Sequence, residues 1–399
     1  MNFKKVAFIP LMALLLVGCG TNTNRGGKGS SSGSQGGDDA FDVSEPAGEV
    51  ATKEASKQAL ASAATSLLGQ NSFGFDLAHT ELEGHMVQKA FDGQNFIEAA
   101  KIDASVSDVT LKARVEGLQS QNPNQDFKAS LDLGLTADVK AKVATGADET
   151  TGAIQYTNIN LGGSAAAKAF MVGNQPYVSI PESNAKLFND VVTFLTENEI
   201  IEADDIPEVA FPMNYKLMGL DLDLSMLPAA IAQIEAEDLN EGIGELVDEL
   251  SEMPAELGTL KFIKESESKY ALYADINYSE PVIATGDDQD YLLGSQGVAV
   301  KGYVEFDTTV GLTKIAVQAS YAQSVTLVGQ YGPDELEGLT KEQMETVVQD
   351  IRVSGQAQVN FVYGNDAKAD IPADLTGYVE LDLGAMFGGS SEPEEGLGE

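Results

Sequence analysis

Both histidines of the chain fall in one run, His79-x-Glu81-x-Glu83-x-His85. Alternate residues of a strand share a face, so this spacing would line up two imidazoles and two carboxylates. That mixture suits zinc, manganese or iron. Reach is limiting: alternate strand residues lie about 7 Å apart, so neighbours could share an ion while His79 and His85 could not. The other reading is a solvated strand edge. A second candidate is acidic. No basic residue occurs between Lys216 and Lys261, and Glu237, Glu241, Glu245 and Glu249 recur at every fourth position. Like charges at that spacing repel along a helix, so salt, a divalent cation such as calcium, or a basic partner must offset them. No EF-hand loop is present, because Asp287-Asp288-Gln289-Asp290 lacks the required glycine and distal glutamate. Catalytic patterns are accidental. Gly29-Ser30-Ser31-Ser32-Gly33 has nucleophile-elbow form without strand or helix around it. Ser183-Asn184-Ala185-Lys186 and Ser266-Glu267-Ser268-Lys269 match S-x-x-K, but no K-T-G follows. No P-loop and no H-E-x-x-H occur, so the expectation is a protein that is not an enzyme.

The elements that would carry these residues belong to a chain of 399 residues with 62 acidic and 24 basic side chains, a formal charge of −38. That balance argues against nucleic acid, whose binding depends on Lys and Arg neutralising phosphates. The single cysteine excludes an internal disulfide framework and any Cys-cluster metal site. A hydrophobic content of 43% is ordinary for a globular body.

Met1–Cys19 opens with Lys4 and Lys5, continues through the apolar run Val6 to Val17, and ends Gly18-Cys19. It is too short to span a bilayer as a mature helix and has the form of a cleaved secretory signal. Leu16-Val17-Gly18-Cys19 resembles the lipobox of bacterial lipoproteins, and the only cysteine falls where that family requires it. The resemblance implies a diacylglyceryl thioether on Cys19, cleavage before it, and an extracytoplasmic domain anchored to a membrane by lipid. The Gly/Ser-rich stretch 20–39 would tether the body with an r.m.s. reach of roughly 25 Å.

Beyond the tether, Glu49 to Leu68 reads as a helix stopped by Gly69. The period then changes to two. Phe73, Phe75 and Leu77 alternate with polar or small residues, as do Val109, Leu111, Ala113 and Val115. Nine apolar residues occupy every second position from Phe127 to Val143, predicting one long strand or two sharing a bend at Gly134. Further strands are expected at Ile154–Leu161, Ala165–Val172, Tyr177–Ile180, Lys269–Tyr278, Val298–Thr308, Thr313–Tyr321, Ser324–Val328, Ile351–Tyr363 and Gly377–Leu383. Helices are expected after Pro181, where Leu187, Phe188, Val191, Val192 and Leu195 form a stripe, from Ser225 to about Glu252, and from Thr340 to about Asp350, whose start has capping-box form. This layout predicts an α+β fold, a large curved antiparallel sheet (an open half-barrel) with helices packed on one face.

The expected organisation is a signal peptide at 1–18, an anchored linker at 19–48, a single domain at 49–387 and a disordered acidic tail at 388–399. A lipobox, a linker, one helix and many long strands resemble the half-barrel envelope lipoproteins around LolA and LolB and the mycobacterial LppX/LprG group. Phe170-Met171-Val172-Gly173-Asn174-Gln175-Pro176-Tyr177-Val178 resembles their strand–turn–strand, and Phe361-Val362-Tyr363 with Ile371-Pro372 their closing strand. The resemblance implies a concave sheet face that holds an acyl chain or a lipidated partner. Small residues on the apolar side of the long strand point the same way: Leu135, Ala137, Val139 and Ala141 leave room that either helix side chains or a ligand must fill. The function expected is a non-enzymatic anchored lipoprotein binding a lipid or other apolar ligand. The alternative is an acidic surface protein that meets divalent cations (Ca2+ or Zn2+) or a basic partner without a pocket.

Overall fold

The computed structural model describes residues 41–383 except 92–95, 148–152, 198–208, 221, 233–235, 286–289 and 328–346. In chain order the elements are β1 (Glu49–Val50), α1 (Lys53–Leu68), β2 (Ser72–Phe91), β3 (Phe96–Glu116), α2 (Pro123–Asp126), β4 (Lys128–Ala147), β5 (Ile154–Val172), β6 (Gln175–Ile180), α3 (Asn184–Glu197), β7 (Met213–Met218), α4 (Leu227–Ala232), α5 (Ala236–Ser251), β8 (Gly258–Lys264), β9 (Lys269–Thr285), β10 (Asp290–Asp307), β11 (Gly311–Leu327), β12 (Val347–Tyr363) and β13 (Val379–Asp382). All described strands join one open sheet of 13, in the order β1-β8-β9-β10-β11-β12-β2-β3-β4-β5-β6-β7-β13. Every pairing is antiparallel except β13 on β7.

The order has a simple logic. Strands β2 to β7 form a meander towards one edge, residues 219–257 then carry the chain to the opposite edge, and β8 to β12 return until β12 pairs with β2. Helices α4 and α5 lie in that crossing segment, and α5 packs on α1. Thr52 caps α1 by accepting from Ala55 N at 3.2 Å. The inner face of α1 presents Ala59 and Ala63 to Tyr270 of β9 and Phe306 of β10, with Leu60 and Leu312 beside them. Val247 of α5 is fully buried, and its neighbour Asp248 holds Lys53 and Lys57 of α1 at 2.8 and 2.5 Å. On the other half of the sheet, α3 places Leu187 against Gly163 of β5, close enough that a Cβ there would collide with it.

The opposite face is polar and is crossed by two straps. Residues 41–47 form the first: Phe41 stacks on His79 at 5.0 Å, Val43 packs with Ile263, Tyr273, Tyr303 and Ala316, and Glu45 pairs with Lys261 at 2.8 Å. Two apolar side chains of the stretch expected as linker, Phe41 and Val43, thus find partners on the sheet. The second strap follows β12. Ala369 and Asp370 donate their backbone N–H groups to Glu116 and Ser130, Asp370 pairs with Lys168 at 2.5 Å, and the Tyr378 ring meets Phe170 and Tyr177 edge-on at 5.5 Å.

Several expected elements change. The helix from Glu49 begins at Lys53, since Glu49 and Val50 pair with β8. The two strands expected between Ile154 and Val172 are one, running through Gly162 and Gly163. Thr313–Tyr321 and Ser324–Val328 likewise fuse into β11. The helical stretch from Ser225 divides into α4 and α5. The helix expected to reach Asp350 does not: Thr340 to Gln343 lie outside the described residues, while Val347–Asp350 open β12. Strands β7 and β8 form where the sequence pattern predicts none.

Candidate functional site

Two frame shifts decide which side chains share a face. Gln358 pairs with His79 but Val359 pairs with Leu77, so Ala78 is a bulge in β2. A second bulge interrupts β3 between Ser107 and Thr110, where exposed Asp108 has φ 51°. The apolar positions accordingly pass from Phe73, Phe75 and Leu77 to Leu82, Gly84 and Met86, and His79 to His85 turn to the polar side.

On the helix-bearing face the register aligns apolar rows across eight strands, β9 to β12 and then β2 to β5. One row is Ile276, Val300, Ala319, Gly355, Leu82, Val106, Ala137 and Gly163. The next is Tyr278, Val298, Tyr321, Val353, Gly84, Ala104, Val139 and Leu161. Not one residue of this second row is buried. Tyr278 and Val298 remain 41% and 39% exposed, and Leu133 and Leu135 of β4 remain 42% and 40% exposed. The buried clusters lie instead under α1 and under the first strap. Leu135, Ala137, Val139 and Ala141 thus share one face, opposite Ala165, Gly163, Leu161 and Ile159 of β5. Gly84, Ala104, Ala137 and Gly163 make a floor of small residues between larger ones. Such a surface offers dispersion contacts and removal of apolar area from water, and no acid–base chemistry.

The polar face collects the titratable candidates. His79, Glu81, Glu83 and His85 do lie on it together, paired with Gln358, Gln356, Ser354 and Arg352 of β12. They do not converge. Gln356 Nε2 lies 2.9 Å from His79 Nε2 and donates to Glu81 at 2.7 Å, while His85 Nδ1 faces Asp103 at 2.5 Å. Among the described residues no three His, Cys, Asp or Glu side chains gather as metal ligands. The hydrogen bond from His85, with Lys101 adding its charge, holds Asp103 below the usual carboxylate range. His85, Asp103, Glu83, Asp138, Lys140 and Arg352 line a concavity of about 400 Å³ on this face. Asp103, Lys140 and Arg352 were absent from the sequence-based candidates, although the polar alternation Asp350, Arg352, Ser354, Gln356, Gln358 and Asn360 marks the face in β12.

Of the acidic stripe, Glu241, Glu245 and Glu249 project into solvent from α5. The Glu237 side chain lies outside the described residues. The acid that matters to packing is Asp248, held below its ordinary range by hydrogen bonds from Lys53 and Lys57. Cys19 and the serines at 30–32 lie outside the described residues. Lys186 turns to Asp190 at 3.6 Å and Ser266 accepts from the backbone N–H of Lys269 at 3.2 Å; among the described residues no hydrogen bond joins the serine of either S-x-x-K match to its lysine Nζ. Among the described residues no helix is long and apolar enough to cross a membrane.

No protein family and no curated protein matches the chain. Solved structures similar in part include Pseudomonas aeruginosa OccK7 (OpdD), at 6% identity, covering 73% of this chain and 98% of that one, with a TM-score of 0.17. The V. cholerae type IV competence pilus secretin PilQ has 8% identity over 74% of this chain and 58% of its own, TM-score 0.13. A LolA superfamily protein from Nitrosomonas europaea has 9% identity over 79% of this chain and 94% of its own, TM-score 0.10. Similarity at this level carries no functional argument.

Proposed function

We propose that this is a non-enzymatic, lipid-anchored extracytoplasmic protein that holds an acyl chain or other apolar ligand on the helix-bearing face of its sheet. One observation carries the ligand: the row from Tyr278 to Leu161 is apolar or glycine across eight strands, and none of it is buried. A contiguous apolar surface left partly open to water across eight strands marks an interaction site in a stable protein. The anchor, and with it the extracytoplasmic location, is supported by the resemblance of Leu16 to Cys19 to a lipobox. Two acyl chains hold a protein stably at a bilayer where one does not.

The test is mass spectrometry of the protein purified in detergent from its own membranes. The denatured mass should fit a chain starting at an acylated Cys19. The native spectrum should show an additional, extractable lipid, which Leu135→Glu diminishes while circular dichroism is unchanged. A chain starting at Met1 with a free thiol would overturn the anchor, and a native mass equal to the denatured mass would overturn the ligand. The exposed stripe Glu241, Glu245 and Glu249 favours a second reading, a surface for cations or a basic partner. That reading requires melting temperature to respond to calcium at fixed ionic strength.

A further inference from the structure

The polar face carries a concavity lined by charged side chains, separate from the apolar rows. Register brings Arg352 of β12 opposite His85 of β2, His85 opposite Asp103 of β3, and Asp103 opposite Lys140 of β4. One residue pair along, Glu83 and Asp138 flank the same concavity of about 400 Å³. In a chain with 62 acids and 24 bases, a cation on the sheet has carboxylates to choose from. Lys168 takes both Asp132 and Asp370, and Lys101 takes Asp103. Arg352, Lys140, Glu83 and Asp138 stand apart from that pattern. Among the described residues no ion pair or hydrogen bond ties these side chains to one another or to other residues, although all four line one concavity. His85 is committed through Nδ1 to Asp103, which fixes the ring at the floor.

Unclaimed charges of both signs around one hollow are complementary to a molecule that also carries both. We propose that this concavity binds a small zwitterion, an ammonium joined by a short link to a phosphate or carboxylate. The planar guanidinium of Arg352 takes the oxyanion in a two-pronged contact, with Lys140 as a second point charge. The ammonium is held by Glu83 and Asp138. A free anion gains from the two bases but meets two carboxylates, and a free amine meets the reverse. Only the joined pair satisfies both sets.

The chain contains two histidines, and they separate the site from its surroundings: His85 is at the floor, and His79 lies under Phe41. The full-length protein in detergent, with 13C-labelled histidine, is titrated with phosphoethanolamine at fixed pH and followed by NMR. The expected result is a saturable shift of the His85 signal with His79 still. Inorganic phosphate and ethylamine alone should bind at least about tenfold more weakly, and Arg352→Gln and Glu83→Gln should each weaken phosphoethanolamine binding about tenfold or more. Both side chains are exposed, so either variant keeps the fold, which the unchanged His79 signal reports. Short-chain phosphatidylethanolamine separates the sources: tighter binding than phosphoethanolamine assigns the site to a membrane headgroup, equal binding to a free zwitterion. No shift of His85, equal binding of the single-charge probes, or full binding by both variants would overturn the proposal.

Discussion

Replacing Leu135 by alanine asks whether the helix-bearing face is an open surface or a packed interior. The substitution removes three carbon atoms, a loss of about 2.4 kcal/mol if the side chain were fully buried, at roughly 0.8 kcal/mol for each. Leu135 keeps 40% of its surface in water, so roughly three-fifths of that transfer term applies, about 1.4 kcal/mol. An open face leaves no enclosed void, so the cavity term that raises core Leu→Ala costs to 2–5 kcal/mol is absent, by the order of magnitude known for cores (~). Phe306 is the internal control. It is 1% exposed between α1 and β9, and Phe306→Ala should cost about 3–5 kcal/mol. Urea unfolding of lipid-stripped protein, followed by circular dichroism, measures both. Adding back ligand should widen the Leu135→Ala deficit, because a ligand that binds only the folded state stabilises by mass action and the variant binds it less well. If Leu135→Ala in stripped protein matched Phe306→Ala, the face would be a closed core and the reasoning would fail.

Other consequences follow from the straps and the charged groups. Val43→Ala should cost about 2 kcal/mol and raise amide exchange in the first strap and in β8 to β11, leaving β4 to β6 protected. Uniform loss of protection would show that the strap is not a local element. Burial, reinforced by Glu305, raises the pKa of Glu265, and its Oε1 has no hydrogen-bond partner among the described residues. A raised carboxyl favours the folded state below its unfolded pKa and opposes it as pH rises, so Glu265→Gln should raise the melting temperature at pH 7 and change it little near pH 4 (about the unfolded carboxyl value). A fall at pH 7 would contradict the assignment. Asp248 has the opposite sign: its lowered pKa adds stability above the ordinary value of 3.8 that is lost as pH falls through the folded value. Asp248→Asn should flatten that acid limb of the melting curve, and an unchanged limb would assign it to other carboxylates.

The strand assignment was most legible where one period runs unbroken. From Phe127 to Val143 the alternation predicts β4, and the structure extends it only to Ala147. Legibility failed where a local signal met a tertiary one. Gly162-Gly163-Ser164 reads as a break, yet β5 runs through it, because a Cβ on Gly162 would strike Asp138 and one on Gly163 would strike Leu187. The capping form at Thr340 predicts a helix to Asp350, whereas Val347 to Asp350 break the alternation and still extend β12, because they pair with Ala90 to Val87 of β2. The first strap was invisible, since Phe41 and Val43 are isolated apolar residues beside a Gly/Ser tract and only the sheet reveals their partners. For the candidate site, the shared face of Leu135 to Ala141 follows from period two alone. The side taken by His79 to His85 does not. Their odd positions match Phe73, Phe75 and Leu77, and a single bulge at Ala78 sends them to the other face. The signal was present in Leu82 and Met86, which are apolar at even positions.

An acyl chain held along the helix-bearing face, as proposed, should be captured there by photocrosslinking. A phospholipid with a diazirine near the end of its acyl chain is incubated with the full-length protein, irradiated, and the adducts are mapped by peptide mass spectrometry. Saturable labelling is expected on the apolar rows of β3 to β5, among them Leu135, Val139 and Leu161, competed by unlabelled lipid. Adducts confined to the polar face, or labelling there and elsewhere that never saturates, would contradict it.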